Sequence, residues 1–193
     1  MRRKTFDILA SLGGILVVVA LLIAGVLATW GYSFASNNVH DQLSQQQITF
    51  PAKGSQALAS PEIGPYLNQY AGQQLTTGPQ AKAYADHFIA VHLSEMPYGG
   101  VYSKVSAAAQ ADPTNTTLQG EVQTVFRGTT LRGLLLEAYA FSVFAAIAFW
   151  AAIASFTLAF LMAILVGFGF WHSRRVAPDA EILVHEVPQT SAA

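Results

Sequence analysis

The stretch AYAFSVFAAIAFWAAIASFTLAFLMAILVGFGFW, residues 138–171, decides the fold of this chain. It holds thirty-four consecutive residues without a formal charge, bounded by Glu137 on one side and by His172, Arg174 and Arg175 on the other. A helix needs about 20 apolar residues to cross a hydrocarbon core of roughly 30 Å. The run therefore predicts a membrane helix with residues to spare. Arg174 and Arg175 fix its inner end by the positive-inside rule. Counting about 20 residues outward from Trp171 reaches Trp150 and Ala151. The span is then 151–171, and 138–150 continues the same helix outward. That upper part, with Leu134, Leu135, Leu136, Tyr139, Phe141, Val143, Phe144 and Ile147, is apolar on every face. Such a helix is expected to be buried, as the central helix of the external domain or as an interface for another membrane protein, unless a tilted span keeps more of it in lipid.

Working outward, the N-terminal end supplies a second span. Arg2, Arg3 and Lys4 precede Asp7, and residues 8–28 then run without charge. Trp30 and Tyr32 follow, as aromatic rings do at a membrane–water interface. The apolar run exceeds the roughly 7–15 residues usual in a cleaved signal peptide, which favours a retained anchor. The expected division is 1–7 cytoplasmic, 8–30 first transmembrane helix, 31–137 extracytoplasmic helical domain, 138–150 outward extension, 151–171 second transmembrane helix and 172–193 cytoplasmic tail. Both termini lie inside the plasma membrane on this topology. Trp30, Tyr32, Trp150 and Trp171 act as interface anchors, and Arg2, Arg3, Lys4, Arg174 and Arg175 set the orientation.

Composition agrees with a membrane class. Of 193 residues 52% are hydrophobic and only 11% charged, against about 25% charged in soluble domains. A net charge of −1 leaves no basic stripe for nucleic acid. There is no cysteine, so disulfides, thiolate nucleophiles and zinc–thiolate sites are excluded.

Small residues mark a helix-packing face. Ala151, Ser155, Ala159, Ala163 and Gly167 recur every four residues, and Ala20, Ala24 and Ala28 do so in the first helix. Small side chains at this spacing let a second helix approach closely. The first helix of the same chain is the expected partner, and a second copy is the alternative.

The region between the spans reads as helices. Val39 and Leu43 continue the first helix as a stalk that Pro51 closes. Ser60-Pro61 starts a short helix that Gly72 ends. Thr77-Gly78-Pro79 opens another, which runs to about Met96 with Ala81, Tyr84, Phe88 and Ile89 at helical spacing. Pro97 and Gly99-Gly100 end it. Residues 101–111 form a weaker helix before Asp112-Pro113. Asn115 or Thr116 caps the last helix, with Leu118, Val122, Val125, Phe126 and Leu131 as its inner face. No alternating strand pattern appears. The expected fold is all-α, with two transmembrane helices and an extracytoplasmic helical bundle inserted between them.

Little in the sequence carries chemistry. His87 and His92 are five residues apart and point about 140° from each other on a helix. His92 and Glu95 share a face, which makes His92, Glu95 and His87 the weak metal candidates. No catalytic residue and no cofactor site are read. No phosphate loop, nucleophile elbow or paired-carboxylate motif is present, and the spans hold no ionisable residue for a proton path.

NVHDQL at 38–43, SPEIGPYLNQYAGQQLTTGPQAKAYADHFI at 60–89 and LRGLLLEAYAF at 131–141 resemble a family of uncharacterised actinobacterial two-span membrane proteins over nearly the whole chain. Some of its members are labelled aromatic ring-opening dioxygenases of the LigA type. That label implies a non-haem iron site of two histidines and a carboxylate, or the non-catalytic role of that enzyme's small subunit. A four-helix external bundle between two spans also resembles the sensory half of a bacterial chemoreceptor. No linker, kinase or coiled coil follows Arg175, so a sensor would need a partner for its output.

Three readings follow. The first is a non-enzymatic accessory or scaffold subunit of a cell-envelope membrane complex, partnered by the lipid bilayer and by another membrane protein or itself. The second is a ligand-binding or sensory ectodomain built on Tyr66, Tyr70, Tyr84, Tyr98 and Tyr102. The third is an iron-dependent ring-opening dioxygenase or its small subunit. The segment after Arg175, with Asp179, Glu181 and Glu186 among Ile182, Leu183 and Val184, is read as an unfolded tail or a docking peptide.

Overall fold

The computed structural model describes residues 2–177, and residues 178–193 of the tail expected at 172–193 lie outside them. The described residues are all-α, without a named strand. They divide into two compact units, one of residues up to Trp30 with those from Ala148 on, the other of Gly31–Ile147. Two long helices, α1 (Arg3–Gln45) and α6 (Thr116–Ser173), contribute to both. Each contains a window long and apolar enough to cross a membrane.

In the first unit α1 and α6 pack along a seam of small residues. A methyl added at Gly14 would stand 2.5 Å from Val166 Cγ2, and one at Gly25 would stand 2.8 Å from Phe156 Cε1 and Cζ. One added at Gly169 would collide with Ser11 Oγ. Low numbers on α1 meet high numbers on α6, so the helices are antiparallel. Along the seam the buried or half-buried positions are Asp7, Ser11, Gly14, Val18, Leu21, Gly25 and Ala28 on α1, with Ile8 beside the first of them. On α6 they are Ala148, Ala152, Ser155, Ala159, Met162, Val166, Gly169 and Ser173, with Phe170 beside Gly169. Steps of three and four alternate on both, which is the 3.5-residue repeat that keeps one stripe facing its partner.

This corrects the four-residue stripe. Ser155, Ala159 and Ala28 lie on the seam, but Ala151, Ala163, Gly167, Ala20 and Ala24 are exposed, and a methyl at Gly167 would meet nothing. Each step of four advances about 400° and drifts 40° around the helix, so five such residues spread over about 160°. The contact partner itself is the expected one, the first helix of the same chain.

The second unit closes around Phe50, Leu67, Leu75 and Leu135, each nearly inaccessible, with Val39, Leu43, Leu58, Ile63, Ala81 and Ala85. Phe50 packs against Tyr70 and, edge-on, Tyr84, with centroids 5.3 and 5.4 Å away. Gln47, at φ 54°, breaks α1, and one antiparallel bridge pairs Thr49 with Gln74. After Ser60, whose Oγ accepts from the Glu62 N–H, α2 (Gly64–Leu67) starts three residues later than Ser60-Pro61 implied. Helix α3 (Gly78–Tyr84) opens on a capping box in which Thr77 and Gln80 satisfy each other's backbone N–H groups, as this pairing does at helix starts.

A π-helical turn, Ala85–Ile89, joins α3 to α4 (Ala90–Ser94), with the Ala90 N–H donating to the Ala85 carbonyl. Tyr98, Gly99 and Gly100 then take left-handed φ near 60°. Helix α5 (Tyr102–Ala111) packs on α6, burying Val105, Ala109 and Val125. Asn115 Oδ1 caps α6 by accepting from the Leu118 N–H at 3.0 Å. Phe126, expected inside, is half exposed.

Candidate functional site: a groove beside an exposed apolar helix face

Within the second unit, α6 is covered on one side. Leu135 and Ala145 are buried, and Leu131, Leu136, Ala138, Tyr139 and Ser142 are half-buried. Gly78 at the start of α3 lies so close to Ser142 that a side chain there would collide with it. The other side is open. Leu134, Phe141, Phe144 and Ile147 are 58%, 48%, 64% and 59% exposed, and Val143 is exposed too. Its own unit thus covers one side of this segment only, which corrects the expectation that it is the fully buried central helix of the external domain.

A groove of about 260 Å³ runs between α1 and α6 next to this face. One wall carries the carboxamides of Asn38, Gln42 and Gln46 over Val39 and Leu43; the other carries Leu131, Leu134, Ala138 and Phe141, with Glu137 at its edge. Four-residue steps set Asn38 and Gln42 in a row on α1, and Gln46, in the turn just past its end, continues the row. The sequence reading passed over Asn38, Gln42 and Gln46, although their regular spacing was the available signal. None of Tyr66, Tyr70, Tyr84, Tyr98 and Tyr102 lines this groove.

Two cations of the unit, Lys82 and Arg132, converge on Asp86, at the π-helical turn. Lys82 Nζ donates to Asp86 Oδ2 at 2.5 Å, and Arg132 Nη2 donates to Asp86 Oδ1 at 3.0 Å. The hydrogen bond from Lys82, aided by that from Arg132, holds the Asp86 carboxyl below its ordinary range, against partial burial. The same bond raises Lys82. Lys82 also lies 5.4 Å from the Tyr139 ring centroid. Burial alone pushes the Tyr84 hydroxyl up.

The metal candidates do not come together. His87 stacks on Tyr66, with centroids 3.6 Å apart and planes 4° from parallel. His92 Nδ1 lies 2.7 Å from the Phe88 carbonyl and can only donate to it, and Glu95 is exposed. Among the described residues no three His, Cys, Asp or Glu side chains are grouped closely enough to hold a metal ion.

In the first unit Trp150 and Trp171 are exposed, by 66% and 54%, and the Arg175 guanidinium lies 4.1 Å over the Trp171 ring. Trp30 is likewise 66% exposed, while Tyr32, in the second unit, is half-buried. The seam contacts Ser11 with Gly169 and Gly14 with Val166 fix a register that sets Trp30 level with Trp150, and Asp7 level with His172. No family model, no curated protein and no solved structure matches this chain.

Proposed function

We propose that this chain is a non-enzymatic integral membrane protein that serves as an accessory or scaffold subunit of a cell-envelope membrane complex. The observation that carries the reading is the uncovered face of α6, Leu134, Phe141, Phe144 and Ile147. Contiguous exposed apolar faces mark interaction surfaces, and here the elements of its own unit leave this side of the helix open. The partner is another membrane protein or a second copy.

The topology proposed with it has residues 8–30 and 151–171 in the bilayer, both termini in the cytoplasm and the bundle 31–137 outside. From Asp7 to Trp30 is 23 helical steps, about 34 Å, which matches the hydrocarbon thickness. The antiparallel seam also supports it, since it brings Arg2, Arg3 and Lys4 to the same end as Arg174 and Arg175.

The test is purification in mild detergent, with mass spectrometry of whatever remains bound. A stoichiometric membrane-protein partner, or a defined homo-oligomer, is expected for the natural chain and is lost in Phe141→Glu/Phe144→Glu. A clean monomer at all detergent concentrations overturns the reading.

A ligand-binding ectodomain is the second reading, and the groove is what favours it. At about 260 Å³ it falls just short of the roughly 300–1,000 Å³ of small-molecule sites, and its ligand would meet a carboxamide row facing an aliphatic wall. A screen of small amphipathic compounds by thermal shift tests this; no stabilised unfolding transition counts against it. For the ring-opening dioxygenase no grouping of metal-ligating side chains among the described residues offers support.

A further inference from the structure

We infer that the end of the first unit bearing Arg2, Arg3, Lys4, Arg174 and Arg175 binds the headgroup of an anionic phospholipid; this rests on the membrane reading above. The five cations come from the two far ends of the chain, and the antiparallel seam gathers them. All five are exposed. The carboxylate at this level, Asp7, is only 16% exposed and faces into the seam, with Oδ2 4.0 Å from His172 Nε2. It therefore does little to neutralise the outward-facing charge.

An apolar wall adjoins the cations. Phe6, Leu9, Phe168 and Trp171 are each about half exposed or more. Arg175, stacked over Trp171, holds its guanidinium at the edge of that wall, where planar guanidinium binds phosphate oxygens in pairs. A free phosphate would use the charges but not the wall. An anionic lipid uses both, with phosphate at the cations and acyl chains along the aromatic and aliphatic side chains. Clusters of four to eight Lys and Arg at the cytoplasmic end of a membrane helix act in this way. Asp179 and Glu181, acidic by sequence, lie outside the described residues, so the test uses the full chain.

The chain is reconstituted in nanodiscs of phosphatidylcholine alone and of phosphatidylcholine with about one-third phosphatidylglycerol, and the lipids that stay bound on extraction are counted by native mass spectrometry. Each basic residue near an anionic surface is worth up to about fivefold in partition, so phosphatidylglycerol should be enriched about fivefold or more over the bulk ratio. Arg174→Gln/Arg175→Gln should reduce that enrichment about fivefold. Trp171→Leu, which keeps every charge, should reduce it about twofold, and inorganic phosphate should not compete. Retained lipid that mirrors the bulk, enrichment unchanged in both variants, or competition by phosphate overturns the inference. A chain that enters neither bilayer removes the membrane reading itself, whereas one that enters both without headgroup preference removes only the lipid site.

Discussion

Gly25 lies against the ring of Phe156, so closely that any side chain would stand 2.8 Å from Cε1 and Cζ. Gly25→Leu must swing the ring out and part the helices, at a cost of about 1–3 kcal/mol. Gly167, where an added methyl meets nothing, is the control. Gly167→Leu should be neutral or gain up to about 1 kcal/mol from helix propensity. Thermal unfolding of the purified protein in detergent compares the two. Equal losses would mean that the seam does not run where these contacts place it.

Asp86 ties α3 to α6 through Arg132. Its carboxyl is held below the ordinary value of 3.8, so its contribution to stability is present above that value and is lost as pH falls through the lowered folded one. Both partners are partly exposed, and solvent screening limits the pair to about 1 kcal/mol or less. Asp86→Asn should lower the melting temperature at pH 7, with the gap to the natural chain closing as the pH falls below 3.8. A gap unchanged down to pH 2 would assign the effect to packing instead.

Phe50 is 2% exposed and sits between two tyrosine rings. Phe50→Ala should destabilise the second unit by about 3–5 kcal/mol. Tyr66, 48% exposed but stacked on His87, should cost about 1 kcal/mol when cut to Ala, as an aromatic pair does. Near-ultraviolet circular dichroism during heating follows both, and a Phe50→Ala protein with unaltered melting would contradict the core described above.

Tyr84 should ionise above the ordinary tyrosine value. Burial raises it above its ordinary value of 10.0, so the stability it lends is whole below that value and declines as pH rises towards the folded one. Absorbance at 295 nm against pH should show an ionisation above the ordinary tyrosine value that Tyr84→Phe removes. A titration curve that Tyr84→Phe leaves unchanged in shape would show that the ring is open to water.

The sequence alone determined the two apolar windows, their basic flanks and the helix starts at Thr77 and Asn115. Each rests on local physics: hydrocarbon thickness fixes a length, and a backbone N–H left free in a first turn needs an oxygen. It also carried the seam, because Ser11, Gly14, Gly25, Gly169 and Ser173 obey a 3.5-residue repeat, but a four-residue count hid it. Tertiary structure decided the rest. Which flank of α6 stays open depends on how far the chain between Phe50 and Ile89 can reach around Leu135, and no pattern within 131–149 records that distance. The bond from Arg132 to Asp86 joins positions 46 residues apart, the second of them inside a π-helical turn, and periodicity is blind to it. The long apolar run was legible as a helix; that half of its outer part meets nothing in its own unit was not.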